Sequence, residues 1–137
     1  MQSESRFRVR PLPRPEAVRH DRRRRRSSSA AVAIELALTS AALRGGLDVV
    51  VVVDDDGMLV AKSRTCLDLT LLAAITPIVG RGHAIPRVKK DGLPRDMAVH
   101  VIELGGEKLY IAAVGGKYLA RARELGESSA AAQRILA

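Results

Sequence analysis

A block of five valines, Val49 to Val53, is the strongest pattern of apolar positions along the chain. Valine favours extended backbone, and an apolar run without alternation predicts a strand that is covered on both faces. The Asp54–Gly57 segment that follows has turn chemistry, because aspartate can bond its own backbone and glycine tolerates a positive φ. A shorter apolar segment comes next, so we predict a β-hairpin over residues 47–63.

Apolar residues at helical spacing predict three helices around this hairpin. The first covers Ala30–Arg44, begins at a Ser29 N-cap and ends at the Gly45-Gly46 pair. Its apolar side chains cover more than one face, so we expect this helix to be well buried. These side chains are Val32, Ile34, Leu36, Leu38 and Leu43.

The second predicted helix covers Cys66–Val79, and the third covers about Tyr118–Leu136. Thr65 is the expected N-cap of the second helix, with Asp68 in its first turn and Pro77 in its last. The third helix carries one apolar stripe, made of Leu119, Ala122, Leu125, Ala132 and Ile135 or Leu136.

A second hairpin is predicted from two apolar segments, Met97–Leu104 and Lys108–Val114, which glycines join. Residues 81–96 are interrupted by glycine and proline and predict a long loop, with a short edge strand over Ile85–Lys89 as the alternative. The order helix, hairpin, helix, loop, hairpin, helix favours an α+β fold. We expect an antiparallel sheet of four to five strands sandwiched between helices.

Charge divides the chain into two parts. Residues 1–28 hold ten arginines against three acidic residues and account for +7 of the net charge of +8. We therefore predict a disordered Arg/Pro-rich tail over 1–28 and a nearly neutral domain over 29–137. Five consecutive arginines in the tail are suited to phosphate groups, so weak binding to nucleic acid or to an anionic membrane is one interpretation of this run. A solvated lead-in is the other interpretation of these residues, which are Arg22, Arg23, Arg24, Arg25 and Arg26.

Residues that could carry chemistry are few. The sequence shows no paired carboxylates, Ser/His/Asp set, metal-ligand spacing or phosphate-binding glycine loop, so we predict no catalytic residues, no cofactor and no metal. The aspartates at 54–56 fit a turn better than a cation site. Cys66 at a helix start and His100 on a strand face each have a purely structural interpretation. One cysteine and no apolar stretch of about 20 residues favour a cytoplasmic location without a transmembrane segment.

Several of these segments together resemble the roadblock / dynein light chain family over about residues 30–137. The first two are the Gly45-Gly46 pair before an apolar strand and the Asp54 to Gly57 turn, which Met58-Leu59-Val60-Ala61 follow. The other two are Asp68 before Leu71-Leu72-Ala73-Ala74, and the strand within 105–116 before a last helix. The resemblance implies a profilin-like sheet of five antiparallel strands between helices. It also implies a non-enzymatic protein that dimerises through a helix and a sheet edge. In bacteria such proteins are often partners or regulators of small Ras-like GTPases, or scaffolds.

Our first hypothesis is therefore a non-catalytic homodimeric module that regulates a small Ras-like GTPase. The second is a polyanion-binding protein that acts through the Arg22–Arg26 run, with the domain serving to dimerise it. The third is a small ligand sensor or enzyme that uses Cys66 or His100. For the dimer we expect an interface on the second helix and a nearby sheet edge, made of Leu67, Leu71, Ile75, Ile78, Val99 and Val101.

Overall fold

Three helices and five strands follow one another in a computed structural model of the protein, which describes residues 27–137. In chain order they are α1 (Ser27–Gly45), β1 (Val49–Asp54), β2 (Leu59–Lys62), α2 (Thr70–Gly80), β3 (Arg87–Lys90), β4 (Leu93–Leu104), β5 (Glu107–Val114) and α3 (Tyr118–Leu136).

The five strands form one antiparallel sheet in the order β2-β1-β5-β4-β3. Helices α1 and α3 pack on one face of this sheet, and α2 packs on the other. The α+β sandwich expected from the sequence is thus confirmed, with five strands. The disordered tail stays a prediction, since residues 1–26 lie outside the part of the chain that the structure describes. Residues 27 and 28, which were assigned to the tail, belong to α1.

The valine block occupies the middle of the sandwich, as predicted. Strand β1 lies between β2 and β5, and all five valines are at most 2% exposed. Val50 and Val52 face the core under α1 and α3, whereas Val49, Val51 and Val53 face the core under α2. Because both faces of the strand are covered, apolar and polar residues do not alternate along it.

Asp54, the last residue of β1, makes the turn contacts that the sequence predicted for the aspartates. The Asp54 carboxylate accepts hydrogen bonds from the backbone N–H groups of Asp56 at 2.9 Å and Met58 at 3.0 Å. Gly57 adopts a φ of +82°, and its N–H donates to the Asp54 carbonyl at 3.1 Å. The Asp54 side chain and backbone therefore hold the turn that leads into β2.

Helix α1 ends as predicted but begins earlier. Gly46 has a φ of +63°, its N–H donates to the Leu43 carbonyl, and the Leu47 N–H donates to the Ala42 carbonyl at 2.9 Å. This pattern is a Schellman ending, which glycine adopts without strain. At the other end Ser29 lies inside the helix and is not its N-cap, because serine has an acceptable helix propensity and the helix continues back to Ser27.

The expectation that α1 is well buried was wrong for its outer side. Ile34 and Leu38 are in the core, but Val32, Leu36 and Leu43 are exposed by 55%, 53% and 78%. The reason is geometric: α1 is covered by the sheet and α3 on one side, and no described element lies over its outer side.

Helix α2 begins at Thr70 and not at Cys66, so the predicted start and the Thr65 N-cap were wrong. Side chains hold the preceding segment in turns that compete with helix. The Thr65 hydroxyl accepts from the Leu67 N–H at 3.1 Å, and the Asp68 carboxylate accepts from the Thr70 N–H at 3.0 Å and its hydroxyl at 2.8 Å. Pro77 lies in the last turn, as expected.

The fifth strand lies in the segment that was predicted as a long loop or, alternatively, as a short edge strand over Ile85–Lys89, and the alternative is close to the observed strand. Strand β3 spans Arg87–Lys90 and pairs only with the first four residues of β4, which begins at Leu93 and not at Met97. Pro94 lies in this first part of β4. The pairing of β4 with β5 starts only at Met97, so the first part pairs with β3 alone. Proline is tolerated there because one side of the strand needs no ladder hydrogen bond.

Helix α3 spans the predicted residues, but its buried stripe differs from the predicted one. Leu125, Ala132 and Leu136 are buried, whereas Leu119 is 76% exposed and Ala122 is exposed too. The first turns instead direct a charged residue inward, because the Arg121 guanidinium donates to the carbonyls of Gly115 and Gly116, both at 2.9 Å. These hydrogen bonds satisfy the two carbonyl groups just after β5. The inner side of the first turns of α3, where apolar residues were expected, is therefore occupied by Arg121.

Candidate interaction surface

The outward side of α2 is the clearest unpartnered apolar surface on its face of the sheet. None of the eleven residues of this helix is charged. Its inward residues Leu72 and Ala73 are buried against β1, while Leu71 and Ile78 are exposed by 61% and 41% and Ala74 is also exposed. A surface helix normally carries charged side chains on its outer side, so this arrangement is typical of an interface.

The six residues predicted for the dimer interface fall into two groups. All of them lie on the α2 face of the sheet or just before α2. Leu67, Ile75 and Val99 are partly buried and pack on the core beneath the helix. Leu71, Ile78 and Val101 point outward, and Val101 is 44% exposed. The second group is available to a partner, and the first group mainly supports it.

Beside this surface, β4 presents an open backbone edge. Strand β3 pairs only with residues up to Asp96, so from Ala98 to Leu104 the strand partner of β4 within residues 27–137 is β5 alone. Val99 and Val101 belong to this open part. The sheet edge near 97–104 that the sequence indicated therefore exists, and it results from the shortness of β3.

A groove of about 190 Å³ continues this surface toward the start of α2. Its floor is apolar and includes Val49 and Val114 from the two central strands. The walls come from the segment leading into α2 and from β3, and the lining residues there include Leu67, Leu69, Leu71, Leu72, Val88 and Lys90. Val88 was not among the residues predicted for an interface, although the alternative edge strand over Ile85–Lys89 includes it.

An ion-pair cluster at one end of the groove joins Asp48, just before β1, to β3 and β4. Asp48, whose side chain is 11% exposed, accepts from Lys90 Nζ at 3.1 Å and from Arg95 Nε at 2.8 Å. Partial burial acts to raise the pKa of Asp48, but the hydrogen bonds from Arg95 and Lys90 outweigh it and the pKa is lowered. The cluster thus holds the short edge strand in place with a charged carboxylate.

At the other end of α2, Tyr110 holds the helix close to the sheet. The tyrosine is 2% exposed, and its hydroxyl donates to the Asp55 carboxylate at 2.7 Å. Arg81, just after the helix, donates to the same carboxylate oxygen and to the Asp55 carbonyl, both at 2.9 Å. The hydrogen bonds from Tyr110 and then Arg81 lower the pKa of Asp55. A lone tyrosine among small apolar residues in β5 is the sequence signal for this contact.

The helix pair on the opposite face is joined by a buried carboxylate. Glu124 is 2% exposed and accepts from Arg44 at 2.8 Å and from Arg123 at 3.0 Å. The hydrogen bond from Arg44 lowers the pKa of Glu124, burial opposes this, and Arg123 adds to the lowering. The glutamate therefore stays ionised between two arginines and fixes α1 against α3.

The other sequence candidates are not brought together. His100 is exposed on β4, and its Nδ1 lies 3.2 Å from the Ser129 hydroxyl, which itself donates to the Leu125 carbonyl. Cys66 is exposed in the turn segment before α2 and not at a helix start. In the part of the chain from 27 to 137, no three His, Cys, Asp or Glu side chains converge in a way that could hold a metal ion.

The arginine run Arg22–Arg26 lies outside the described residues, so its predicted binding role stays a prediction. Among the helices between 27 and 137, none is both long and apolar enough to cross a membrane.

Three solved structures share this architecture. Myxococcus xanthus MglB is 14% identical, with a TM-score of 0.55 over 80% of this chain and 90% of that one. The gliding protein mglB from Thermus thermophilus is 14% identical, with a TM-score of 0.57 over 80% and 93%. An MglB with a tetrameric arrangement is 13% identical, with a TM-score of 0.58 over 80% and 92%. At this identity the likeness shows the fold, which is roadblock-like. The sequence matches no protein-family model, and no curated protein matches it significantly.

Proposed function

We propose that this protein is a non-catalytic interaction module that forms a homodimer and acts as a partner or regulator of a small Ras-like GTPase in the cytoplasm. The observation that carries the proposal is the uncharged outer side of α2, on which Leu71 and Ile78 are exposed. The roadblock-like fold shared with the MglB structures supports the class of function.

We place the dimer contact on α2 and the open edge of β4, and not on β3. The outward residues Leu71, Ile78 and Val101 provide the apolar centre that a stable interface requires. Strand β3 carries charged residues at most of its positions, and Arg87 and Lys89 are exposed. Exposed basic side chains on an edge strand oppose edge-to-edge pairing. The helix is therefore the centre of the proposed interface, with the open edge of β4 at its border.

Light scattering on the full-length protein tests the dimer. In a two-fold contact each substitution occurs twice, so a variant with Leu71→Glu and Ile78→Glu places four carboxylates in one apolar interface. We expect its dissociation constant to rise by roughly a hundredfold or more, which is about 2.7 kcal/mol. Leu119→Glu is the matched control, because Leu119 is 76% exposed on α3, across the sheet from α2. A wild-type protein that is monomeric at high concentration contradicts the dimer.

A second experiment tests the GTPase partner separately. A purified small Ras-like GTPase from the same source is loaded with GDP or with a non-hydrolysable GTP analogue and titrated with this protein in a calorimeter. We expect binding that depends on the nucleotide, since a regulator must distinguish the two states of its target. A dimeric protein that binds neither loaded form refutes the GTPase role and leaves the dimer standing.

A further inference from the structure

Four segments of the chain meet at one end of the sandwich, where β1 begins and β5 ends. The Asp48 N–H donates to the Val114 carbonyl at 2.8 Å, and the Gly115 N–H donates to the Asp96 carbonyl at the same distance. The Ser63 N–H, just after β2, donates to a β1 carbonyl at 2.8 Å. The segment before α2 faces β3 across the groove described above. We call this the basic end, and it consists of residues 44–48, 62–70, 87–96 and 115–124.

Positive charge predominates at the basic end. Its four segments hold ten basic residues against five acidic ones. The two turn segments at the other end of the sheet, 54–58 and 103–108, hold five acidic residues and one basic residue. The domain is nearly neutral as a whole, so its charge is separated along the direction of the strands. An end with this excess of positive charge is suited to an anionic partner.

Ion pairing does not cancel the positive charge of this end. Each of its two buried carboxylates, Asp48 and Glu124, is shared by two basic side chains. The carboxylates are 11% and 2% exposed, whereas their four basic partners are exposed by 36% to 62%. Lys89 and Lys117 are exposed too and have no acidic partner among residues 27–137. The negative charges of these clusters therefore lie inside and the positive charges face solvent.

Three large apolar side chains project from the same end. Leu93 is 66% exposed near the tip of the β3–β4 hairpin, which extends past the last residue of β5 because that residue, Val114, pairs with Met97. Tyr118 and Leu119, in the first turn of α3, are exposed by 74% and 76%. Side chains this exposed protrude from the surface and do not line a pocket. They suit an apolar medium that can rearrange around them.

We propose that the basic end docks this protein onto the surface of an anionic lipid bilayer. Leu93, Tyr118 and Leu119 enter the interfacial region, where tyrosine is favoured, while the surrounding basic side chains bind lipid headgroups. Nucleic acid would pair with the basic residues but leave both leucines in water. An acidic protein would need a matched pocket for each protruding side chain, whereas acyl chains adapt to all three. This docking depends neither on the proposed dimer nor on a GTPase.

Sedimentation of the full-length protein with phosphatidylcholine vesicles, with and without phosphatidylglycerol, tests the proposal. We expect binding to the anionic vesicles that weakens as salt is added. Residues 1–26 are the same in every variant, so differences between variants report on the domain. Lys117→Gln is expected to weaken binding about fivefold at low salt. Lys108→Gln is the matched control, because Lys108 is an exposed lysine at the opposite end, and we expect it to bind like the wild type.

A second pair of variants tests the apolar contact. Leu93→Gln combined with Leu119→Gln is expected to weaken binding about tenfold or more, because two leucine side chains no longer leave water. The control combines Leu36→Gln with Met58→Gln, at positions that are 53% and 64% exposed and outside the basic end. We expect this control to bind like the wild type. All four side chains face solvent, and the unfolding midpoint of each variant is measured alongside to show that it folds.

Several results overturn the proposal. Absence of binding to the anionic vesicles does so directly. Vesicle binding that Lys117→Gln weakens but the two leucine substitutions do not is simple electrostatic adsorption. Binding that none of the variants changes belongs to another part of the chain. Binding to duplex DNA or to polyglutamate, but not to the anionic vesicles, assigns the basic end to a different class of partner.

Discussion

Gly80, the last residue of α2, determines how closely this helix approaches the sheet. A Cβ atom at this position would lie 2.5 Å from Cδ2 and 2.8 Å from Cε2 of Tyr110, and 3.2 Å from Val99. The ring has no free direction of retreat, because it is 2% exposed and its hydroxyl is bonded to Asp55 at 2.7 Å. We therefore expect Gly80→Ala to push the end of α2 away from β5.

The magnitude follows from two opposing effects. Replacing a helical glycine by alanine usually stabilises a protein by about 0.5–1 kcal/mol, although less at the end of a helix. Overpacking against a fixed side chain usually costs about 1–3 kcal/mol. The clash wins here, so we expect a net loss of roughly 1–2 kcal/mol and a fall in Tm of a few degrees. Urea unfolding followed by circular dichroism at one fixed protein concentration measures it.

Two further variants make this prediction refutable. Gly126 lies in α3, and a Cβ atom added there would have no neighbour within 4 Å, so Gly126→Ala is the matched control and is expected to stabilise. In a Tyr110→Leu background the cost of Gly80→Ala is expected to shrink by about 1 kcal/mol, because leucine lacks Cε2 and its shorter side chain can turn away from the added methyl group. If Gly80→Ala is as harmless as Gly126→Ala, or if its cost is unchanged beside Leu at 110, the close approach of α2 to Tyr110 is refuted.

Two other predictions concern the buried ion pairs. Glu124 has a lowered pKa, so its contribution to stability is complete above the ordinary value of 4.5 and is lost as the pH falls through the lowered value. Glu124→Gln is therefore expected to be less stable than the wild type at neutral pH, and the gap between their urea midpoints is expected to close in acid; a constant gap contradicts the assignment. Asp48→Asn is expected to speed amide hydrogen exchange in β3 because Lys90 and Arg95 lose their carboxylate, whereas Asp96→Asn, which breaks only the exposed pair with Arg87, is expected to change little. Equal exchange in both variants refutes a special role for Asp48.

The sequence predicted the sheet well because its strongest signals are local. Five valines, an aspartate-glycine turn and a glycine pair each specify backbone geometry within a few residues, and the structure confirms all three. The start of α2 was missed because Thr65 and Asp68 can either cap a helix or form short turns, and their hydrogen bonds complete the turns. Periodicity alone does not distinguish these outcomes.

The candidate interaction surface could be predicted only in part. Leu71, Ile78 and Val101 were expected at an interface and do face outward, but periodicity could not separate them from Leu67, Ile75 and Val99, which pack inward. That separation depends on how α2 is rotated over the sheet. The close approach of Gly80 to Tyr110 is one part of this packing, and it joins residues that are 30 positions apart in the sequence.

The outer side of helix α1 is more exposed than its sequence predicted, and this difference is informative. Its apolar residues cover more than one face, which predicted a well-buried helix, yet Leu43 is 78% exposed. The sequence of α1 suits an apolar environment, and residues 27–137 provide that environment only on its inner side. The same argument applies to α2, which has no charged residue and also leaves one side uncovered. The two helices lie on opposite faces of the sheet, so a single partner surface cannot cover both. A dimer through α2 would therefore leave the outer side of α1, with Leu36 and Leu43, exposed.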